Sequence, residues 1–250
     1  MAKIVTIPVH TGDIPYLTTS QMIEVDRAMM EDFRIDLIRM MENAGRNLAH
    51  LARVRFLGGD PRGKKVVVLA GTGGNGGGAL VCARRLHNWG AQVTVYVTRP
   101  DAKFTPVPAH QLDILRRMNI PVYPGEAVAG DDPADLVLDG LIGYSLQGAP
   151  TGTAGKLIRW ANAQNAPVLS LDAPSGVDTT TGTVFDPAVR ATATMTLALP
   201  KEGLRAPGVK AHVGELYLAD ISVPPSLYAG PSLGFALDHL FAESDVLRLP

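Results

Sequence analysis

The chain has 250 residues, of which 46% are hydrophobic and 19% charged, and its formal net charge is −1. This length and composition are typical of a globular protein with a full core and exclude a disordered chain. The near-neutral balance gives no electrostatic basis for binding nucleic acid or an anionic membrane. No apolar stretch approaches the roughly 18 residues of a membrane span, and the N-terminus lacks the apolar core of a secretion signal. We therefore expect a cytoplasmic protein without nucleic-acid or membrane partners.

The first 60 residues predict an extended arm followed by two helices. Residues 1–16 form the arm, and Thr19 or Ser20 is expected to cap the first helix. A second helix is predicted over residues 37–56, where apolar residues again recur at helical spacing. Gly45 is unusual inside this helix, because glycine costs about 1 kcal/mol relative to alanine. It favours close helix packing, with a ligand contact as the alternative.

Residues 64–97 predict one βαβ unit. An apolar run, Val66–Ala70, is followed by six glycines within Gly71–Gly78, a helical pattern over Leu80–Trp89 and a second apolar run at Val93–Val97. A glycine loop that opens a helix lets backbone N–H groups approach an anion, and the helix N-terminus adds partial positive charge. The phosphates of a nucleotide are the candidate ligand.

The spacing of these glycines only partly matches a dinucleotide-binding motif. Gly71, Gly73 and Gly76 fit G-x-G-x-x-G. The acidic residue expected about 20 residues further on is missing, because the end of the second strand reads Thr98-Arg99-Pro100. A glycine-rich turn that serves only tight packing is the alternative interpretation.

Two later strands end in carboxylates. Leu136–Asp139 is a buried apolar run, and Asp172 follows the run Pro167–Leu171 and opens a tight turn that contains Ser175. In parallel α/β sheets, ligands bind at the carboxyl ends of the strands. We therefore expect both carboxylates to lie near the glycine segment, unless each merely caps the loop that follows it.

The element order predicts a single α/β domain. Strands are also expected within residues 192–199 and 214–221, whereas residues 226–250 have weak periodicity. The pattern indicates a Rossmann-like, doubly wound, mostly parallel sheet with helices on both faces, which is a three-layer α/β/α fold. We assign residues 1–16 to an N-terminal arm, residues 17–228 to the domain and residues 229–250 to a C-terminal tail.

Five motifs resemble, in one order, those of the NAD(P)H-hydrate epimerases, the YjeF N-terminal domain family. These are the helix motif Met41-Glu42-Asn43-Ala44-Gly45-Arg46, the glycine segment Gly71–Arg85, the two carboxylate turns that begin at Asp139 and Leu171, and Lys201-Glu202-Gly203-Leu204 with the strand from Gly214 to Pro224. The resemblance covers the chain from about Leu17 to Tyr228.

The resemblance implies an isomerase that interconverts the R and S epimers of hydrated NADH or NADPH. It further implies a bound potassium ion, a homodimer, and a separate dehydratase that repairs the S form. It places the potassium ligands at Asn75, Asp139 and Ser175, and proton transfer at Asp172. The substrate contacts that it implies are Gly74, Asn75, Gly76, Gly77 and Gly78, then Gly143, Tyr144, Ser145, Leu146, Gln147, Gly148 and Ala149, with Asp172.

The chain departs from the family at its glycine motif. The family typically reads Asn-Asn-Gly-Gly-Asp-Gly, whereas this chain reads Gly74-Asn75-Gly76-Gly77-Gly78-Ala79. The loss of the Asp at Gly78 is expected to remove a negative charge at the mouth of the phosphate helix and to leave room there. An active epimerase with altered contacts, a changed ligand, and a non-catalytic nucleotide-binding or dimerisation module of the same fold are the three alternatives.

Overall fold

A computed structural model describes residues 6–130, 133–237 and 239–250. The helices are α1 (Thr19–Glu31), α2 (Leu37–Leu51, continued by a π-helical turn at Ala52–Phe56), α3 (Gly74–Asn88), α4 (Pro106–Arg117), α5 (Gly152–Ala163), α6 (Lys210–Val213) and α7 (Pro225–Tyr228). The strands are β1 (Lys65–Ala70), β2 (Gln92–Val97), β3 (Val122–Pro124), β4 (Leu136–Gly140), β5 (Val168–Leu171), β6 (Ala193–Leu197), β7 (Glu215–Ala219) and β8 (Val246–Arg248).

These strands form one sheet in the order β3-β2-β1-β4-β5-β6-β7-β8, in which the last strand alone runs antiparallel. Alternate residues of the central strands pack on opposite faces. Val66 and Val68 join the core beneath α2, α3 and α4, whereas Val67 and Leu69 pack beneath α5. The predicted doubly wound, mostly parallel three-layer fold is confirmed. Among the described residues, no helix is both long and apolar enough to cross a membrane.

The two ends of the chain depart from the simple sequence pattern. Val9 bridges to Arg248, so part of the predicted arm pairs with β8, a strand that the weak periodicity of the tail did not predict. Residues 1–5 of the arm lie outside the described residues. Thr18, rather than Thr19 or Ser20, is the N-cap of α1, because its side chain and that of Gln21 form a reciprocal capping box.

Glycines let α3 pack unusually close to its neighbours. A Cβ added at Gly45 of α2 would lie 2.4 Å from Val81 Cβ and 2.6 Å from the Gly78 carbonyl oxygen. A Cβ at Gly140 of β4 would lie 2.3 Å from the Ala79 Cβ. Close packing is thus the reason for the glycine inside α2, as the sequence favoured, and it fixes where the N-terminus of α3 points.

We predict that Gly45→Ala lowers the free energy of unfolding by about 1–3 kcal/mol, because the new methyl group overlaps backbone and a β-branched side chain. Gly74→Ala is the matched control, since nothing lies within 4 Å of its added Cβ. The control should change stability by less than about 1 kcal/mol. Urea unfolding of the three proteins tests this, and equal losses in both variants would contradict the packing argument.

Candidate functional site

A cavity of about 160 Å³ lies at the carboxyl ends of the central strands and is covered by α1 and α2. Its walls are mainly apolar. Its polar residues come from four separate parts of the chain and are Asp26, Asn75, Tyr144, Ser145 and Asp172. Parallel pairing of β1, β4 and β5 brings the glycine segment and both carboxylate turns to this edge, as the sequence predicted. An apolar cavity with a few convergent polar groups is the usual form of a small-molecule site.

Asp139 is completely buried beneath this cavity and joins the turns that follow β4 and β5. One carboxylate oxygen accepts hydrogen bonds from Leu141 N (3.2 Å) and Ser175 Oγ (2.6 Å). The other accepts from Ser170 Oγ (2.8 Å) and Ser175 N (2.9 Å). Burial raises the pKa of Asp139, and the hydrogen bonds from Ser175 and Ser170 oppose that shift. All four donors are neutral, so none of them supplies a counter-charge.

Asp172 forms a buried ion pair with Lys201. Its Oδ1 lies 2.5 Å from Lys201 Nζ, and its Oδ2 accepts a hydrogen bond from Tyr144 N at 3.0 Å. Lys201 has no exposed surface, and Nζ also donates to Thr196 Oγ1 (3.2 Å) and the Leu197 carbonyl oxygen (2.9 Å). Asp172 has φ of +66°, a left-handed conformation that Asp adopts more easily than most residues. The turn thus holds this carboxylate in one orientation at the cavity wall.

A second carboxyl group, Asp26 of α1, lies in the same cavity. Its Oδ2 accepts a hydrogen bond from the Tyr144 hydroxyl at 2.5 Å. Burial raises the pKa of Asp26, although the Tyr144 hydrogen bond and the charge of Lys201 oppose the shift. The cavity therefore contains one carboxylate in an ion pair, Asp172, and one carboxyl group with an elevated pKa.

The predicted glycine loop is largely a helix. α3 begins at Gly74, so Gly74–Gly78 form its first turns and only residues 71–73 precede it. Gly76 would clash with the Gly71 carbonyl oxygen and Gly77 with Met41 Sδ if either carried a Cβ. These two glycines serve the tight packing that was the alternative interpretation, whereas Gly73 and Gly74 have open space beside them.

The expectation that Gly78 leaves extra room at the mouth of the helix is wrong. This residue is buried, and a Cβ placed on it would lie 2.8 Å from Leu171 Cδ2 and 3.8 Å from Ala44 Cβ. A side chain at this position would meet Leu171 and Ala44, two residues of the apolar cavity wall.

Asn75 has the chemistry expected of a residue that binds a cation or a polar ligand. Both its Oδ1 and its Nδ2 are buried, and neither has a hydrogen-bond partner among the described residues. A Cβ at Gly143 would lie 3.3 Å from Asn75 Cγ and 2.9 Å from Asp172 Oδ2, so both side chains converge on that backbone. An unpartnered amide costs about 1–3 kcal/mol when buried. The amide oxygen, the buried Asp139 carboxylate and the Ser175 hydroxyl are hard oxygen donors of the type that alkali and alkaline-earth cations prefer.

A more polar cleft of about 440 Å³ adjoins the first cavity and shares Gly74, Asn75, Gly143 and Ser145 with it. It is lined on the far side by Thr98 and Arg99 after β2 and by the first turn of α5, Gly152–Ala154. The two spaces together could accept an elongated ligand.

Several of the remaining predicted site residues do not line either cleft. Asp139 and Ser175 lie under the cavity rather than on its surface. Leu146, Gln147, Gly148 and Ala149 form the turn after Tyr144, and they are not part of the described lining of either cleft. The sequence thus located the two carboxylate turns, and the substrate contacts over residues 146–149 stay a prediction.

Comparison with known proteins identifies the family. Residues 37–203 match the family model described as YjeF-related protein N-terminus. The chain belongs to the YjeF N-terminal family. A relative from Dehalogenimonas lykanthroporepellens, named NAD(P)H-hydrate epimerase, is 44% identical over 223 residues, which are 87% of this chain and 86% of the relative. A Rhodopirellula baltica protein of the same name is 35% identical over 217 residues, 86% of this chain and 87% of that one.

Two further comparisons extend this result. A Salinibacter ruber relative, named bifunctional NAD(P)H-hydrate repair enzyme Nnr, is 34% identical over 84% of this chain, but the match spans only 41% of the relative. The crystal structure of the yeast protein YNL200c aligns with a TM-score of 0.76 at 23% identity, and covers 94% of this chain and all of that one. This last likeness shows that the two chains share a fold.

The sequence reasoning missed two residues that this family member places at the site. Asp26 lies between Met22 and Met29 on the buried stripe of α1, and a carboxylate on such a stripe was the available signal. Lys201 follows β6, so a fourth strand end contributes to the site. Leu17 bridges to Lys201, and Thr19 Oγ1 lies 3.0 Å from Thr179 Oγ1, so these contacts hold the start of α1 at the strand ends.

We predict that Lys201→Met lowers the free energy of unfolding by about 3–5 kcal/mol, because it leaves Asp172 as a buried charge without its partner. The double variant Lys201→Met/Asp172→Asn should recover part of that loss. Asn keeps the left-handed backbone and an acceptor for Tyr144 N. A double-mutant cycle by urea unfolding measures this coupling, and additive losses would show that the pair does not interact energetically.

Proposed function

We propose that this protein is an NAD(P)H-hydrate epimerase, an isomerase that interconverts the R and S forms of hydrated NADH or NADPH. The observation that supports it most directly is the placement of Asp172, fixed by Lys201 and Tyr144, in an apolar cavity next to the N-terminus of α3. Relatives that match most of this chain carry the epimerase name. No observation in the structure favours the non-catalytic module.

The reaction inverts the C6 carbon of the hydrated ring, which carries a hydroxyl group and is bonded to the ring nitrogen. Proton donation to that hydroxyl lets the C–O bond break as the nitrogen lone pair forms an iminium, and water is released. Water then adds to the other face of the iminium and gives up one proton. No atom is gained or lost over the cycle, so a group that both donates and accepts a proton is sufficient.

We assign that proton transfer to Asp172, whose carboxylate oxygens are fixed by the Lys201 ammonium and the Tyr144 amide. In the cycle, protonated Asp172 would donate to the departing hydroxyl, and the carboxylate that remains beside Lys201 would take one proton back from the incoming water. The Tyr144 hydroxyl and the Asp26 carboxyl group, which are hydrogen-bonded to each other, also lie in this cavity and would be near the reacting ring. The apolar walls exclude bulk water around the iminium, which would otherwise be attacked without control.

We propose that the substrate contacts follow the family pattern. Gly74, Asn75 and Gly76 would offer the free backbone N–H groups at the N-terminus of α3, which suit a diphosphate. Gly77 N already donates to the Gly73 carbonyl oxygen, so Gly77 and Gly78 would contribute through the close packing of that turn. Gly143, Tyr144, Ser145, Leu146, Gln147, Gly148 and Ala149 would form the opposite wall. Gln147 and Ala149 of this turn are exposed and Leu146 and Gly148 half-buried, so the turn would contribute where the ligand extends beyond the cavity.

Asp172→Asn should abolish epimerisation, and the assay is run below the melting temperature of the variant because Lys201 loses its counter-charge. The measurement supplies a mixture of the R and S hydrates to an S-specific dehydratase and follows how much hydrate is consumed. Complete consumption requires that the R form be converted to the S form. Asp113→Asn, an exposed change on α4, is the control and should retain wild-type turnover. If wild type leaves the R epimer untouched at high protein concentration, the epimerase proposal fails.

We also propose a potassium ion held by Asn75, Asp139 and Ser175. Its support is the unpartnered Asn75 amide together with a buried Asp139 carboxylate whose hydrogen-bond donors are all neutral. When bound, the ion would supply positive charge beside the phosphate-binding turn.

Potassium chloride should raise the melting temperature by about 2–4 °C relative to tetramethylammonium chloride at equal ionic strength, as expected for a ligand that binds only the native state. Asn75→Ala should remove the potassium-specific part of the shift. Thermal unfolding by circular dichroism provides the measurement, and identical curves in the two salts would contradict a potassium site.

The remaining proposals concern the location, the oligomeric state and the partner enzyme of the protein. We propose a cytoplasmic homodimer that acts with a separate NAD(P)H-hydrate dehydratase. Three large apolar side chains of α1 and the turn after it, Ile23, Met30 and Phe33, are exposed and suit a contact between copies. The repair name of the bifunctional relative supports the partnership with a dehydratase.

A further inference from the structure

The two adjoining clefts define how a dinucleotide would lie across the sheet. The apolar cavity is over the ends of β4 and β5, where Asp172 lies, whereas the polar cleft extends to the end of β2. In doubly wound folds a dinucleotide crosses the point where the strand order reverses, here between β1 and β4. This inference rests on the proposed function, because the reacting ring is taken to lie beside Asp172.

That orientation places the adenosine half of the ligand in the polar cleft. The shared wall at Gly74, Asn75 and Gly143 would then face the diphosphate, beside the start of α3. The ribose attached to adenine would reach the end of β2, where dinucleotide-binding folds recognise the 2′ position. An acidic residue at that point selects a 2′-hydroxyl, and an arginine accommodates a 2′-phosphate.

This chain has Arg99 at that point. Arg99 lines the polar cleft together with Gly71–Asn75 and is exposed. Across the described residues, its guanidinium forms no hydrogen bond and no ion pair within 4 Å, although its charge acts on the nearby Glu126 carboxylate. Lys156 of α5 donates to the Glu126 carbonyl oxygen at 2.6 Å, so a second cation borders the same region. Two cations and one carboxylate leave a net positive charge beside the cleft.

We propose that Arg99 recognises the 2′-phosphate of the adenosine ribose, so that this protein prefers hydrated NADPH to hydrated NADH. A planar guanidinium offers paired N–H groups that match two phosphate oxygens. The Glu126 carboxylate lies near Arg99 and would repel the phosphate because both are negatively charged. Its carboxylate is held by the Thr153 hydroxyl, which keeps it beside the cleft.

Two kinetic comparisons test the proposal. Arg99→Gln should raise KM for hydrated NADPH about tenfold or more, as expected when a charge-assisted hydrogen bond is lost, and should change KM for hydrated NADH less than about twofold. Glu126→Gln should shift the preference in the opposite direction, toward a lower KM for hydrated NADPH. Arg117→Gln on the exposed surface of α4 removes the same charge away from the cleft and should leave both constants unchanged.

A binding measurement separates this proposal from the epimerase assignment. Adenosine 2′,5′-bisphosphate should raise the melting temperature of the wild-type protein more than adenosine 5′-monophosphate does, and Arg99→Gln should remove the difference. That result would support recognition of the 2′-phosphate even if no epimerisation were observed. The proposal would be overturned if the two nucleotides raised the melting temperature of wild type equally. It would also be overturned if Arg99→Gln reduced the two increases by the same amount.

Discussion

Asp139 accepts four hydrogen bonds in a site with no access to solvent, and these bonds set the geometry of everything above it. The bonds from Leu141 and Ser175 tie the start of one turn to the next, across neighbouring strands. Tyr144 N and Asp172 Oδ2 then meet at 3.0 Å because both turns have fixed paths. A buried carboxylate is costly unless its oxygens are satisfied, so these four hydrogen bonds are the condition on which the cavity depends.

The mostly parallel sheet and the meeting of the carboxylate turns could be predicted because they follow from local patterns. Apolar runs that alternate with helical periodicity imply parallel strands, and parallel strands place Asp139 and Asp172 at one edge. The contribution of Asp26 could not be derived this way, since its hydrogen bond to Tyr144 joins residues 118 positions apart. Strand β8 could not be predicted either, because three residues in a tail of weak periodicity are too short to show an alternating pattern.

The glycines of the segment Gly71–Gly78 serve two purposes, which are close packing of the backbone and access for a ligand. Gly76 and Gly77 have no space for a side chain, and their role is to let α3 approach the loop after β1 and α2. Gly74 is open, and Asn75 presents a buried amide beside the cavity. Sequence alone groups these residues together, because glycine is required both where the backbone is crowded and where a ligand must approach it. The departure from the family pattern at Gly78 lies on the packed side, against Leu171.

Lys201 limits the kinds of chemistry that this site can perform. A lysine that forms an imine with its substrate must lose a proton and reach an electrophilic carbon. Here the amine has no exposed surface, and three acceptors surround its three protons. The amine is therefore an immobile counter-charge rather than a nucleophile. With Cys82 also buried and the pKa of its thiol raised by desolvation, neither of these side chains offers the substrate a covalent route.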